Sequence, residues 1–100
     1  MDCPVIISPR AIQDLREIVR YVSFEDSAAA ERLGNALMDA ALSLGTLPER
    51  GRLVPEFNDG RTREVIYRPY RIIYRFDPAS NAIVVSRFWH GARLLNKNVR

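Results

Sequence analysis

Cysteine and lysine are each present once in this 100-residue chain, and long apolar runs are missing altogether. A single thiol, Cys3, cannot close an internal disulfide, and it cannot build a thiolate metal site, which needs several ligands. Neither a metal nor a cofactor is therefore expected. No stretch approaches the roughly 18 to 20 consecutive apolar residues of a membrane span. The opening "MDCPVIISPR" places an acid early and carries only a short apolar run, so it lacks the basic start and long apolar middle of a signal peptide. A cytosolic protein with no membrane partner is expected. Repeats, low-complexity tracts and linkers are absent too. At this length one core can bury roughly 60 to 70% of the unfolded surface, so residues 1–100 are expected to form a single domain.

What the chain has in quantity is arginine. Fourteen of the fifteen basic residues are Arg, Lys97 being the exception, and the formal net charge is +3. Guanidinium is planar, permanently charged and suited to bidentate pairing with carboxylate or phosphate. A GC-rich coding bias would give the same skew, so position has to decide. Seven arginines fall between Arg50 and Arg75, whereas the segment from Ser23 to Glu49 has only Arg32 against Glu25, Asp26, Glu31, Asp39 and Glu49. The second half of the chain is the basic half.

Patterning gives the elements. Val5 to Ile7 form a short apolar run that ends at Ser8-Pro9, a good N-cap followed by the residue favoured at the first helical position. Ala11, Ile12, Leu15, Ile18, Val19 and Val22 then recur at helical spacing with Arg10, Asp14, Glu17 and Arg20 between them. After "SFEDS", where Asp26 or Ser27 can cap, a second helix carries an inward stripe of Ala30, Leu33, Leu37, Ala40, Ala41 and Leu44 and stops at Gly45 and Pro48. So short a link makes the two an antiparallel hairpin. A long irregular connection, "LPERGRLVPEFNDGRT", precedes three strands, "REVIYR", "RIIYRF" and "AIVVSRFW".

In the middle strand the period of two puts Tyr70, Ile72, Tyr74 and Phe76 on one face and Arg71, Ile73 and Arg75 on the other. The last strand has Ile83, Val84 and Val85 in succession, and its register stays open. The order β-α-α-β-β-β predicts an α+β domain with a helical hairpin on one face of a small antiparallel sheet. The opposite face is expected to be open and basic, lined by Arg71 and Arg75 with Arg63 and Arg87 nearby.

The succession "ISPRAIQDLREIVRYV", "AAAERLGNALMDAALSLGTLPERGR", "REVIYRPYRIIYRFD" and "FWHGAR" resembles the RelE/ParE superfamily of bacterial type II toxins from about Val5 to Leu95. The resemblance implies a toxin silenced by an antitoxin from an adjacent gene, in a hetero-oligomeric complex. RelE-like members cut mRNA on the ribosome; ParE-like members poison DNA gyrase without nuclease chemistry. "LPERGRLVPE" and "FWHGAR" look more like the ParE and plasmid-stabilisation side, so gyrase leads as the target, and a ribosome-dependent mRNA endonuclease is the alternative.

Under that alternative, RNA cleavage needs a base, an acid and a cation at the phosphate. Matching YoeB-type motifs selects Glu56 in "VPEF", Arg71 in "YRIIY" and His90 in "FWHGAR" as the catalytic set. His90 is the sole histidine, the side chain that titrates nearest neutrality. The pattern departs from that type after His90, where Gly91 stands in place of an aromatic, and from the lysine-based RelE arrangement, because no lysine precedes Lys97. Under the binding alternative, Arg63, Arg71, Arg75, Arg87, Trp89 and Arg93 form a surface for target or antitoxin, with Trp89 as an anchor. A third possibility is a non-toxic nucleic-acid-binding module using Tyr67, Tyr70 and Tyr74 beside the arginines. Periodicity sends Tyr70 and Tyr74 towards the helices, which argues against it.

Overall fold

The structure is a computed structural model and describes residues 2–96; Lys97 lies outside them. Strand β1 (Val5–Ile7) leads into helices α1 (Pro9–Ser23) and α2 (Ser27–Leu42), a 3-10 turn (Ser43–Gly45), and strands β2 (Arg52–Leu53), β3 (Arg63–Tyr67), β4 (Tyr70–Asp77) and β5 (Ala82–His90). The caps are local and legible. Ser8 Oγ accepts from the Ala11 amide at 3.0 Å with Pro9 opening the helix, and Asp26 accepts from the Ala29 amide at 3.0 Å. Gly34 lets the helices approach, since a Cβ there would lie 2.8 Å from Val19 Cγ2.

The expected α+β architecture is present, with two refinements. A two-residue strand, β2, forms inside the long connection, and the five-stranded sheet is mixed, in the order β1-β5-β4-β3-β2. Strand β1 runs parallel to β5, pairing Val5 with Ile83 through Ile7 with Val85, while the other pairs are antiparallel. Nothing local to "PVIIS" names a partner more than seventy residues away.

The register of β5 is settled by a bulge. Ile73 pairs with Arg87 but Tyr74 pairs with Val85, so Ser86 is an extra residue. The inserted residue moves later side chains to the opposite face. Ile83, Val85 and Phe88 thus all join the helix-side core with Ala11, Leu37, Ala41, Leu44, Tyr70, Ile72 and Tyr74. Trp89 goes to the other side.

There the open basic face expected from sequence does not exist. Val54, Phe57, Ile73, Trp89 and Leu95 form a second buried cluster, because the connection folds back over the sheet from one direction and the chain after β5 from the other. A second correction concerns Phe76. It continues the stripe of Tyr70, Ile72 and Tyr74 yet is 39% exposed, because α2 ends at Leu42 and no helix covers that end of the sheet.

Candidate functional site

Two of the residues predicted for catalysis, Arg71 and His90, line one cleft, and the third, Glu56, pairs with Arg71. Strand β4 places Arg71, the pairing of Tyr70 with His90 brings His90 to the same end of the strand but on the Tyr70 face, opposite Arg71, and the connection carries Glu56 onto the Arg71 guanidinium. The cleft measures about 620 Å³ and is lined by Arg52, Ile66, Arg68, Pro69, Tyr70, Arg71, His90, Gly91 and Ala92.

Arg71 is the centre of a closed ion-pair ladder. Its Nη1 and Nη2 donate to the two Glu56 carboxylate oxygens at 2.9 and 3.0 Å, and its Nε donates to Glu64 Oε1. The other Glu64 oxygen accepts from Arg52 Nε at 2.7 Å. Each Arg71 nitrogen therefore faces a carboxylate, and two arginines are balanced by two acids. The Arg71 hydrogen bond holds the Glu56 carboxyl below its ordinary value, and the Glu56 hydrogen bond in turn holds the guanidinium above its own.

Glu64 was not singled out from the sequence, although its side chain is fully buried. An acid inside the aliphatic run "REVIY" was the available signal. A buried carboxylate persists only with partners.

His90 is held by local contacts. Its Nδ1 accepts from the Ala92 amide at 3.1 Å, and its ring meets Tyr70 edge-on with centroids 5.4 Å apart. With the Nδ1 lone pair occupied, the neutral ring carries its hydrogen on Nε2. In that tautomer Nε2 can donate a hydrogen bond, but it offers no lone pair to a substrate hydroxyl.

Gly91, where the YoeB type has an aromatic, is required by the backbone. Its amide donates to the Pro69 carbonyl at 2.7 Å, and a Cβ would lie 2.7 Å from that same oxygen. No larger residue fits there without moving the strand end.

The six residues expected to share a binding surface do not share one. Arg63 pairs with Tyr74 in the register, which puts it on the face opposite Arg71, and its guanidinium binds the Gly51 carbonyl at 2.8 Å. Arg87 is 7% exposed: Nε and Nη2 donate to Asp14 at 2.6 and 3.0 Å. Asp14 also accepts from the Phe88 amide at 3.2 Å, so it caps the edge of β5 that three-residue β1 leaves uncovered. The periodicity of α1 had grouped Asp14 with the solvent-facing polar residues.

Trp89 is 5% exposed, with its Nε1 on the Arg93 carbonyl at 3.2 Å and the Arg87 and Arg93 guanidiniums over its ring at 4.9 and 4.5 Å. It is a packing residue stiffened by cation–π contacts. Arg75 and Arg93 remain accessible at least in part. Tyr70 and Tyr74 are buried against the helices, which removes two of the three rings a base-stacking platform would use.

Residues 5–95 match the model of the ParE toxin of the type II toxin–antitoxin system parDE. The chain belongs to the RelE/ParE superfamily of type II toxins. It is 33% identical over 94 residues to Toxin RelE1 of Caulobacter vibrioides, covering 91% of this chain and 96% of that one. It is 36% identical over 90 residues to Toxin RelE2 of the same organism, covering 90% and 97%. The fold matches the toxin–antitoxin complex RelBE2 of Mycobacterium tuberculosis with a TM-score of 0.69 at 23% identity, covering 90% of this chain and 99% of that one. It also matches the chromosomal ParDE system of P. aeruginosa with a TM-score of 0.73 at 19% identity, covering 88% and 95%. RelE-named and ParE-named proteins thus both lie close to this toxin, and its own cleft has to speak for the chemistry. No helix among the described residues is long and apolar enough to cross a membrane.

Proposed function

We propose that this toxin acts in the cytosol by binding, with DNA gyrase as its target, and that an antitoxin from the adjacent gene neutralises it. One observation carries the choice of binding over cleavage. Arg71, the cation a nuclease would aim at a phosphate, has all three nitrogens on Glu56 and Glu64. A guanidinium so neutralised supplies little field to a developing phosphorane. The match to the ParE family and the glycine after His90 point the same way.

A ribosome-dependent endonuclease is the second reading, favoured by the cleft that Arg71 and His90 both line and by the pairing of Glu56 with Arg71. Induced expression with and without the neighbouring gene, followed by gyrase supercoiling and ribosomal mRNA-cleavage assays, separates the two. Inhibited supercoiling, with toxicity intact in His90→Ala, is expected. Cleavage of mRNA in the ribosomal A site that is lost on His90→Ala would overturn the binding reading.

A further inference from the structure

The exposed Phe76 marks an unfinished piece of the helix-side core. Beside it lies a groove of about 660 Å³. Its apolar wall is built by Phe76, 39% exposed, and Leu47, 59% exposed, where the chain leaves the 3-10 turn. Arg50, Arg61 and Arg63 stand around it against one acid, Glu49. Among the ion pairs of the described residues none involves these three arginines. Arg50 is steadied by the Ser43 hydroxyl at 3.1 Å and Arg63 by the Gly51 carbonyl at 2.8 Å. Both contacts fix a guanidinium in place without cancelling its charge.

We propose that this groove docks an acidic segment of the antitoxin that inserts a bulky apolar side chain against Phe76 and Leu47 while its carboxylates pair with Arg50, Arg61 and Arg63. The proposal rests on the reading that an antitoxin partners this chain. Charge complementarity selects an acidic occupant, and fork-shaped guanidiniums are matched to carboxylates. The apolar wall selects a peptide, whose branched or aromatic side chains can fill it, over the charged sugar–phosphate backbone of a nucleic acid, which is costly to bury there. An apolar anchor ringed by charged pairs is also the arrangement that concentrates binding energy at interfaces. The cleft of Arg71 and His90 contributes no residue to this groove, so occupation here leaves that cleft's contacts as they are.

The test measures binding of the full-length toxin to the purified product of the adjacent gene by calorimetry, with circular dichroism confirming that each variant is folded. Arg61→Glu and Phe76→Ser are each expected to weaken binding about tenfold or more, and the wild-type affinity is expected to fall as salt rises. Arg32→Glu, the same charge change on an exposed position of α2, is expected to leave affinity within about twofold, as for a charge outside the interface. Folded groove variants that bind as tightly as wild type would overturn the groove while leaving the antitoxin partnership standing. Failure of the wild-type chain itself to bind would overturn the partnership and the groove together. If the groove variants instead disrupt a toxin–toxin dimer, the occupant is a second copy, and the proposal is wrong.

Discussion

Replacing Glu64 by alanine separates a buried ion-pair ladder from a surface one. The Glu64 side chain is 0% exposed and that of Arg71 12%, so their pairing is formed where water cannot take over either charge. Removing one partner of a buried pair costs about 3–5 kcal/mol, because the other keeps its desolvation penalty and loses its compensation. The companion change Glu56→Ala acts on a carboxylate that is 35% exposed, and a pair so open to solvent is worth under about 1 kcal/mol. For a chain of this size the unfolding entropy is about 0.2 kcal/mol per kelvin, so Glu64→Ala should lower Tm by roughly 14–24 °C and Glu56→Ala by less than about 5 °C. Set against a total stability of about 5–15 kcal/mol, the first change removes a large fraction of what holds the fold. Glu64→Gln keeps the volume and should fall between the two. Thermal melts followed by circular dichroism at pH 7 give the comparison. Equal losses for Glu64→Ala and Glu56→Ala would refute the argument, since Arg71 would then be held no more firmly from inside than from outside.

Three further outcomes are expected. Because Arg71 lowers the Glu56 carboxyl, the stability it contributes is fully present above the ordinary value of about 4.3 and disappears as pH falls through the lowered folded value. The difference in urea midpoint between wild type and Glu56→Gln should hold steady at neutral pH and close in acid; a pH-independent difference would contradict the assignment. Tyr74→Phe removes the hydroxyl that accepts from the buried Gly51 amide at 2.8 Å, which should cost about 1–3 kcal/mol and speed hydrogen exchange at that amide. Gly91→Ala puts a methyl 2.7 Å from the Pro69 carbonyl and should destabilise by about 1–3 kcal/mol while shifting the His90 ring resonances; an unperturbed spectrum would mean the strand end gives way freely.

Much of the fold was legible because its signals are local. Ser8-Pro9 and Asp26 mark the helix starts by side chains that bond to amides three residues on. The alternation of Tyr70, Ile72 and Tyr74 with Arg71 and Ile73 assigned the faces of β4, and the helix-side residues are buried as that alternation requires. The candidate site was legible in part. Glu56, Arg71 and His90 were each chosen, but Glu64, the acid that fixes Arg71 from beneath, was not. A strand pattern reports which side a residue faces and is silent about what covers that side.

By itself, then, the sequence determined the hairpin, the strand faces and the superfamily. Those follow from spacing, capping chemistry and an ordered set of motifs. Only the tertiary structure decided that the arginine face is closed, that Arg87 is buried on Asp14 and that Phe76 is left uncovered. The physical reason is distance along the chain. Asp14 and Arg87 meet across 73 positions, through an edge that β1 is too short to protect, and one bulged serine sends Trp89 into a second core. Such pairings depend on where the backbone is brought together, which no local period encodes.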